Sequence, residues 1–177
     1  RMDKKADAEQ LKTACQGSTV TVKQVDRRDK SEKPPALYDL TTLQRDANRL
    51  LGFTAQQTLD YLQNLYEKKL CTYPRTDSRY LTSDMAEGLP VLVNLVANAM
   101  PFRKGIAISC DAAAVINDKK VTDHHAVIPT RNIREADLSA LPVGERAILE
   151  LVALRLLCAV APPYICLLYT SDAADDP

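Results

Sequence analysis

The sequence predicts an α+β fold that is mainly helical, with only short β-strands. Apolar residues recur at helical spacing over residues 41–51, 54–69 and about 142–160, and each of these stretches predicts a helix with a buried face. β-branched residues alternate briefly over residues 19–25, which predicts one short strand. A second short β-like run at residues 70–73 is followed by a proline, which ends strand pairing.

The chain divides near two consecutive prolines. Residues 3–15 predict a weakly amphipathic helix that ends at Gly17, and residues 26–35 are charged and end in Pro-Pro. Because the residue before a proline avoids the helical region, residues 26–35 predict an extended linker. We therefore expect a boundary there, between one unit at residues 1–35 and a larger one at residues 36–160.

A pair of helices opens the larger unit. The helix at 41–51 is followed by Gly52, where a left-handed C-cap is expected. Thr54 and Gln57 then form a capping-box pattern for the next helix. The apolar stripe of that second helix is Leu59, Leu62, Leu65 and Tyr66. The tight turn predicts helix-turn-helix-like packing, with a plain helical hairpin as the alternative.

The remainder of this unit alternates helix and loop. Thr82 or Ser83 can cap a helix that Gly88 and Pro90 split early and that residues 91–99 continue as a mostly buried stretch. Residues 102–120 predict a loop and a short strand. Pro142 fits the first turn of the last helix.

Composition restricts the classes of function. The chain is 46% hydrophobic and 26% charged, as in globular proteins, and no apolar run approaches the ~20 residues that cross a membrane. Five cysteines include no Cys-x-x-Cys pair, which argues against a zinc site, and an odd count predicts reduced thiols in a cytoplasmic protein. The formal net charge is zero, so charge alone does not indicate nucleic acid.

Tyr73 and Arg75 stand two positions apart in the second β-like run. A phenol can attack a phosphodiester, and an arginine can hold the phosphate and balance the charge of the transition state. Alternate side chains of an extended strand share a face, so the two can act together. Lys68, Lys69 and Arg79 add nearby positive charge, which favours phosphate contacts. The alternative is a structural tyrosine and an arginine paired with a neighbouring aspartate.

Three separated blocks resemble one protein family. Tyr73 to Leu81 resembles the active-site signature of type IA DNA topoisomerases, in the form typical of the topoisomerase III branch. Leu37 to Phe53 resembles the helix pair before that signature, and Asp123 to Thr130 resembles the second box of the family. The blocks follow the family's order, and the resemblance covers roughly Pro34 to Tyr164.

The resemblance implies a domain organisation. Residues 36–160 would be the helical domain that carries the tyrosine, residues 1–35 an edge of the neighbouring strand-rich domain with its linker, and residues 161–165 the start of the return to it. Because family members are several times longer, the chain is expected to be an internal piece of a larger enzyme. By itself this piece is expected to be inactive.

The resemblance also implies roles for residues. Tyr73 would be the nucleophile that joins a 5′ phosphate and leaves a free 3′ hydroxyl, so that rejoining needs no ATP. Arg75 would clamp the phosphate, and His124 would contact the scissile or an adjacent phosphate. Further DNA contacts are expected from Lys68, Lys69, Thr76, Ser78, Arg79, His125 and Thr130. For Thr76 and Thr130 the alternative is a turn-stabilising hydroxyl, and for His124 a capping or core histidine.

Cofactor and partners follow from the same resemblance. No carboxylate cluster for a metal is visible in the chain, so Mg²⁺ would be held by the N-terminal Toprim domain of the family. The partners would be DNA, chiefly single-stranded and contacted through phosphates and base stacking, and the remaining domains of the same polypeptide. No membrane partner is expected.

Three alternatives stay open. A non-catalytic helix-turn-helix-like DNA-binding module would need only the helix pair, and a regulatory or structural helical domain would bind protein instead. Within the family, the topoisomerase I branch is disfavoured by Pro74, by Arg79 and Tyr80, and by the paired histidines at 124–125.

Residues 166–177 do not continue the family pattern. They resemble a translated sequencing-library adapter, and we predict that they are non-native read-through, which the nucleotide sequence would test. The alternative is an ordinary acidic C-terminus. Without the three acids of this tail the formal charge would be +3.

Overall fold

A computed structural model describes residues 4–19, 22–101 and 109–173 of the chain. The helices are α1 (Lys5–Cys15), α2 (Leu40–Leu51), α3 (Ala55–Glu67), α4 (Leu89–Ala99) and α5 (Val143–Ala159), and the strands are β1 (Val22–Glu32) and β2 (Tyr164–Ala173). The predicted α+β class with a majority of helix is confirmed.

The chain forms two units, of which the smaller combines both ends of the chain. In it, β1 pairs with β2 in a two-stranded antiparallel sheet. The guanidinium of Arg27 lies 5.3 Å from the ring centroid of Tyr169, a cation–π contact between the strands. Because β2 supplies a hydrogen-bonding partner, β1 continues to Glu32 through the charged stretch, and the linker predicted from residue 26 was wrong over that part. The origin of residues 166–177 stays a prediction.

The larger unit, Lys33–Tyr164, begins with α2. Its N-cap is Asp39, whose carboxylate accepts a hydrogen bond from the Thr42 amide at 2.6 Å. Gly52 closes it in the left-handed region with φ 72°, as predicted. The predicted capping box of α3 is also confirmed, with Thr54 and Gln57 bonded reciprocally.

The core of this unit lies around α5, which packs against α2, α3 and α4. Its fully buried side chains include Ile148, Leu149, Val152 and Leu156. The predicted helical stretch at residues 91–99 is confirmed as part of α4, which begins at Leu89 because Pro90 is accommodated in its first turn. Of the stretch predicted as loop and short strand, residues 102–108 lie outside the described residues, and residues 112–114 and 118–120 form 3₁₀ turns.

Candidate active site

Two loop segments run side by side and carry the predicted site. They are the tyrosine segment, residues 70–81, and the histidine segment, residues 115–130. Isolated bridges join Cys71 to Pro129 and Leu81 to Ile116 at the two ends. Between them, the Thr72 amide donates to the Ile128 carbonyl at 3.0 Å. The segments are therefore joined by backbone hydrogen bonds although neither belongs to a regular sheet.

Thr72 adds side-chain bonds to this pairing just before the tyrosine. Its hydroxyl donates to the Ala126 carbonyl at 3.2 Å and accepts from the Ile128 amide at 3.0 Å. On the far side of the tyrosine, the Thr76 hydroxyl donates to the His124 carbonyl at 2.9 Å. The backbone is thus fixed on both sides of Tyr73.

Tyr73 is half-buried and contacts two other rings. The His124 ring lies 4.2 Å away between centroids, tilted by 39°, and the Tyr66 ring lies 5.6 Å away in an edge-to-face arrangement at 82°. Tyr73 and His124, separated by some fifty positions in the sequence, are therefore neighbours.

Arg75 is exposed and lines a cleft of about 440 Å³ together with His124. The same cleft contains the carboxylates of Asp39, Asp77 and Asp123. A phosphate that enters the cleft would meet the guanidinium and the imidazole. The three carboxylates would repel further negatively charged groups. The cleft thus holds one permanent cation, the Arg75 guanidinium, together with the His124 imidazole and three carboxylates.

Thr76 and Ser78 are buried, with side chains engaged inside the protein. The Thr76 hydroxyl accepts from the Ser78 amide at 3.1 Å while it donates to the His124 carbonyl. The Ser78 hydroxyl donates to the Lys120 carbonyl at 2.9 Å. These bonds give both residues a role in holding the two segments together, and their predicted DNA contacts stay predictions.

Arg79, Thr130 and His125 also make bonds to the backbone. Arg79 Nε donates to the Leu37 carbonyl at 3.2 Å. Thr130 Oγ1 donates to the Lys69 carbonyl, and His125 Nδ1 lies 2.8 Å from the Ala126 carbonyl. The bonds of Arg79 and Thr130 join residues distant in sequence, whereas the His125 contact is to its immediate neighbour.

The two adjacent lysines lie in different surroundings. The ammonium of Lys68 pairs with the carboxylate of Glu145, which is 4% exposed and also accepts from Asn64 Nδ2 at 3.0 Å. Lys69 is exposed and has a positive φ of 59°, which lets the chain reverse from α3 into the tyrosine segment. Both lysines are exposed, and of the two only Lys68 has its ammonium in an ion pair among the described residues.

A cluster of three polar residues is hydrogen-bonded to the histidine segment. Arg155 donates to the Asp46 carboxylate and, at 2.9 Å, to the Tyr38 hydroxyl, which itself donates to Asp46 at 2.8 Å. Burial raises the pKa of Tyr38 to about 12. Burial works to raise the pKa of Asp46 as well, but the hydrogen bond from Tyr38 and the charges of Arg155 and Arg49 hold it below its ordinary value. The Tyr38 carbonyl accepts from the Val127 amide at 2.8 Å and so ties this cluster to the histidine segment.

Sequence reasoning missed Tyr66 as part of the site. Its position four residues after Leu62 assigned it to the core stripe of α3. In the structure Leu62 and Leu65 are fully buried, whereas Tyr66 is 40% exposed and contacts Tyr73. The sequence feature that could have indicated its place in the site was its position in the last turn of the helix, just before the chain reverses.

Among the described residues no group of three or more His, Cys, Asp or Glu side chains could hold a metal ion. The donor set of these residues therefore does not fit the Mg²⁺ that the resemblance implies. In the same described part of the chain, no helix is both long and apolar enough to span a membrane.

Comparison with known proteins gives consistent results. The family model described as DNA topoisomerase matches residues 1–173. The chain is 42% identical over 163 residues to DNA topoisomerase 3 of Shouchella clausii and 40% identical to that of Bacillus licheniformis, covering 88% of this chain and 22% of each relative. It thus spans about a fifth of the length of these relatives.

A solved structure has a similar fold. Full-length topoisomerase I from Thermotoga maritima superposes with a TM-score of 0.65 at 22% identity, over 94% of this chain and 30% of that one. At this identity the likeness concerns the fold alone.

Proposed function

The chain belongs to the type IA DNA topoisomerase family, and from this premise we propose that it carries the nucleophile of an enzyme that cleaves and rejoins one DNA strand. Tyr73 would hold the 5′ end of the cut strand while another strand passes through the gap. The enzyme would then reseal the cut without ATP.

One observation carries the proposal: the Tyr73 ring contacts the His124 ring at 4.2 Å, and His124 shares a cleft with Arg75. A phenol in contact with an imidazole, and a guanidinium in the same cleft as that imidazole, are the three groups that attack on a phosphodiester would use. The bonds of Thr72 and Thr76 hold this arrangement before any substrate binds. Preorganisation of this kind lowers the cost of reaching the reactive geometry.

The reaction balances without an outside reactant. The phenolic oxygen of Tyr73 loses its proton and forms a bond to phosphorus, the bond from phosphorus to the 3′ oxygen breaks, and that oxygen takes up a proton. Rejoining reverses each of these changes. Since one phosphodiester replaces another, the bond energy is kept, which explains why ATP is not needed.

Arg75 and His124 would act on the phosphate. The guanidinium of Arg75 is permanently charged and would neutralise the charge that builds on the phosphate oxygens. His124 would donate a hydrogen bond to the same or an adjacent phosphate and would do so best when protonated. Lys69 would extend this positive surface along the strand.

Other parts of the enzyme would complete the site. We propose that Mg²⁺ is held by another domain, that the substrate is chiefly single-stranded DNA, and that the chain alone does not relax DNA. Location in the cytoplasm is part of the same proposal.

Covalent trapping tests the proposal. The complete protein would be mixed with single-stranded DNA and Mg²⁺ and denatured quickly, with DNA labelled at the 3′ end in one sample and at the 5′ end in another. We expect labelled protein with the 3′ label only, because the 5′ end of the downstream fragment is the one attached to Tyr73. Tyr73→Phe should abolish the adduct, and Tyr80→Phe, in the same segment, should keep it.

Each other outcome has a defined meaning. An adduct that persists in Tyr73→Phe would assign the nucleophile to another residue. Labelled protein from the 5′-labelled strand would reverse the polarity. No adduct together with salt-sensitive DNA binding would favour the non-catalytic DNA-binding module instead.

A further inference from the structure

Tyr66 lies in the last turn of α3 and contacts Tyr73 from outside the core. The two ring centroids are 5.6 Å apart, and the planes meet at 82°, the edge-to-face geometry that aromatic pairs prefer. Tyr66 is 40% exposed, in contrast to the fully buried Leu62 and Leu65 of the same helix. Its contact with Tyr73 is therefore a feature of the site more than of the fold.

The backbone that carries Tyr66 is firmly held. The last turn of α3 is tied to α5, because Asn64 and Lys68 both bond to the buried carboxylate of Glu145. The Lys69 amide donates to the Tyr66 carbonyl at 2.8 Å as the chain reverses. The Tyr66 ring is thus presented from a fixed helix end.

The chain reversal sets the distance between the two tyrosines. Lys69 takes a left-handed conformation, and the Leu70 amide then donates to the Leu65 carbonyl at 2.8 Å. The Thr130 hydroxyl bonds to the Lys69 carbonyl and secures the reversal from the histidine segment. The positions of Tyr66 and Tyr73 are therefore coupled through a short, hydrogen-bonded turn.

The Tyr73 ring lies between two other rings. It is half-buried, and its ring contacts are with His124, an exposed residue, and with Tyr66. A tyrosine side chain can occupy several χ1 rotamers unless neighbouring groups exclude the others. Of the two neighbours, Tyr66 is the one presented from a helix.

We propose that Tyr66 is a positioning residue that holds the Tyr73 ring in the rotamer from which its phenol attacks DNA. The inference rests on the proposed function, since it needs Tyr73 to be the nucleophile. Tyr66 acts through its ring edge alone and has no part in proton transfer or phosphate binding. Its loss lowers the fraction of molecules in the reactive geometry and leaves the affinity for DNA unchanged.

The experiment compares Tyr66→Ala with Tyr66→Phe in the complete protein. Two quantities are measured: the single-turnover rate of adduct formation at saturating single-stranded DNA with Mg²⁺, and the DNA dissociation constant without Mg²⁺. We expect Tyr66→Ala to slow the rate about three- to ten-fold, the range that one aromatic pair supports. The dissociation constant should stay within about two-fold, and Tyr66→Phe should restore the rate because it keeps the ring.

Two further variants keep the test decisive. Tyr66→Leu retains apolar bulk without an aromatic edge, so it should slow the rate if Tyr66→Ala does not fold. Tyr61→Ala removes another tyrosine of α3, whose ring contacts Phe53 at 5.2 Å and not Tyr73. We expect this control to lower thermal stability while the rate per folded molecule stays at the wild-type value.

Several outcomes would overturn the inference. An unchanged single-turnover rate in Tyr66→Ala and Tyr66→Leu would do so, and so would a loss seen only in the dissociation constant, which would make Tyr66 a base-stacking contact. Tyr73→Phe in the same assay separates this inference from the proposed function. If Tyr73→Phe forms no adduct and the Tyr66 variants react normally, only the positioning role fails. If Tyr73→Phe still forms the adduct, both proposals fail.

Discussion

The ring of Tyr61, on α3, covers the backbone of Gly144 at the start of α5. A Cβ atom added to Gly144 would lie 2.6 Å from Cε2 and 2.9 Å from Cε1 of that ring, closer than side chains approach one another. Gly144 has no positive φ that would require glycine. The position therefore depends on the absence of a side chain, and α3 and α5 meet there because glycine provides the space.

Gly144→Ala should destabilise the 177-residue chain for this reason. A steric overlap of this kind costs about 1–3 kcal/mol, and the better helical propensity of alanine returns up to ~1 kcal/mol. We expect a net loss of about 1 kcal/mol in the free energy of unfolding, measured with urea. Val143→Ala, at the exposed neighbouring position, is the control and should change little. Adding Tyr61→Leu to Gly144→Ala should recover part of the loss; strict additivity of the two changes would contradict the contact.

Thr76 should matter through its hydroxyl inside the protein. Thr76→Val keeps the shape but leaves the His124 carbonyl and the Ser78 amide without their partner, which costs about 1–3 kcal/mol of stability. Thr76→Ser keeps the hydroxyl and should lose less. Urea unfolding measures the stability, and DNA titration of the complete protein is done alongside. A fall in DNA affinity at unchanged stability in Thr76→Val would instead support the direct DNA contact.

Substitution of the two adjacent lysines should have different effects, one on DNA binding and the other on folding stability. Lys69→Gln is expected to weaken single-stranded DNA binding and to reduce the slope of log affinity against log salt by about 0.7, with stability within about 0.5 kcal/mol of wild type. Lys68→Gln removes the ion-pair partner of the buried Glu145. Because the lysine end of that pair is partly exposed, we expect a loss of about 1–2 kcal/mol in stability and little change in the salt slope. Equal salt slopes in the two variants would argue against this division of roles.

Asp46 should make stability depend on pH at the acid end. Its pKa is lowered in the folded protein, so its contribution is complete above its ordinary value of 3.8 and is lost as the pH falls through the lower, folded value. Asp46→Asn should therefore cost about 1–3 kcal/mol at neutral pH, and the difference from wild type should shrink below pH ~3.8. Unfolding curves at several pH values measure this difference. Asp60→Asn, on the exposed side of α3, is the control, and the same pH trend in both variants would rule out Asp46 as its source.

Local signals in the sequence predicted the helices of the larger unit well. The capping box at Thr54 and the left-handed Gly52 are set by residues within a few positions of one another, so composition and spacing are sufficient. The length of β1 could not be found in this way. Its charged half, up to Glu32, is extended because β2 pairs with it from the other end of the chain, and pattern rules do not contain that partner.

The candidate site was predictable only in part, for a similar reason. The spacing of Tyr73 and Arg75 indicated chemistry on a phosphate, whereas His124 entered through the family resemblance and not through any local pattern. Tyr66 was assigned to the core because helical periodicity does not distinguish a buried stripe from its exposed edge. Which hydroxyls are used inside the protein, as at Thr76, depends on a segment about fifty positions away.

The pairing of residues 70–81 with residues 115–130 has a consequence for how the protein is made. The bonds on either side of Tyr73 join positions 48 and 56 residues apart, so they close long loops and form after the local helical contacts. During synthesis, α2, α3 and the tyrosine segment leave the ribosome before residues 115–130, so the tyrosine segment at first lacks its partner. Tyr73 therefore gains these neighbours only after His124 and Ile128 have emerged, and a nascent chain that stops before them carries Tyr73 without them.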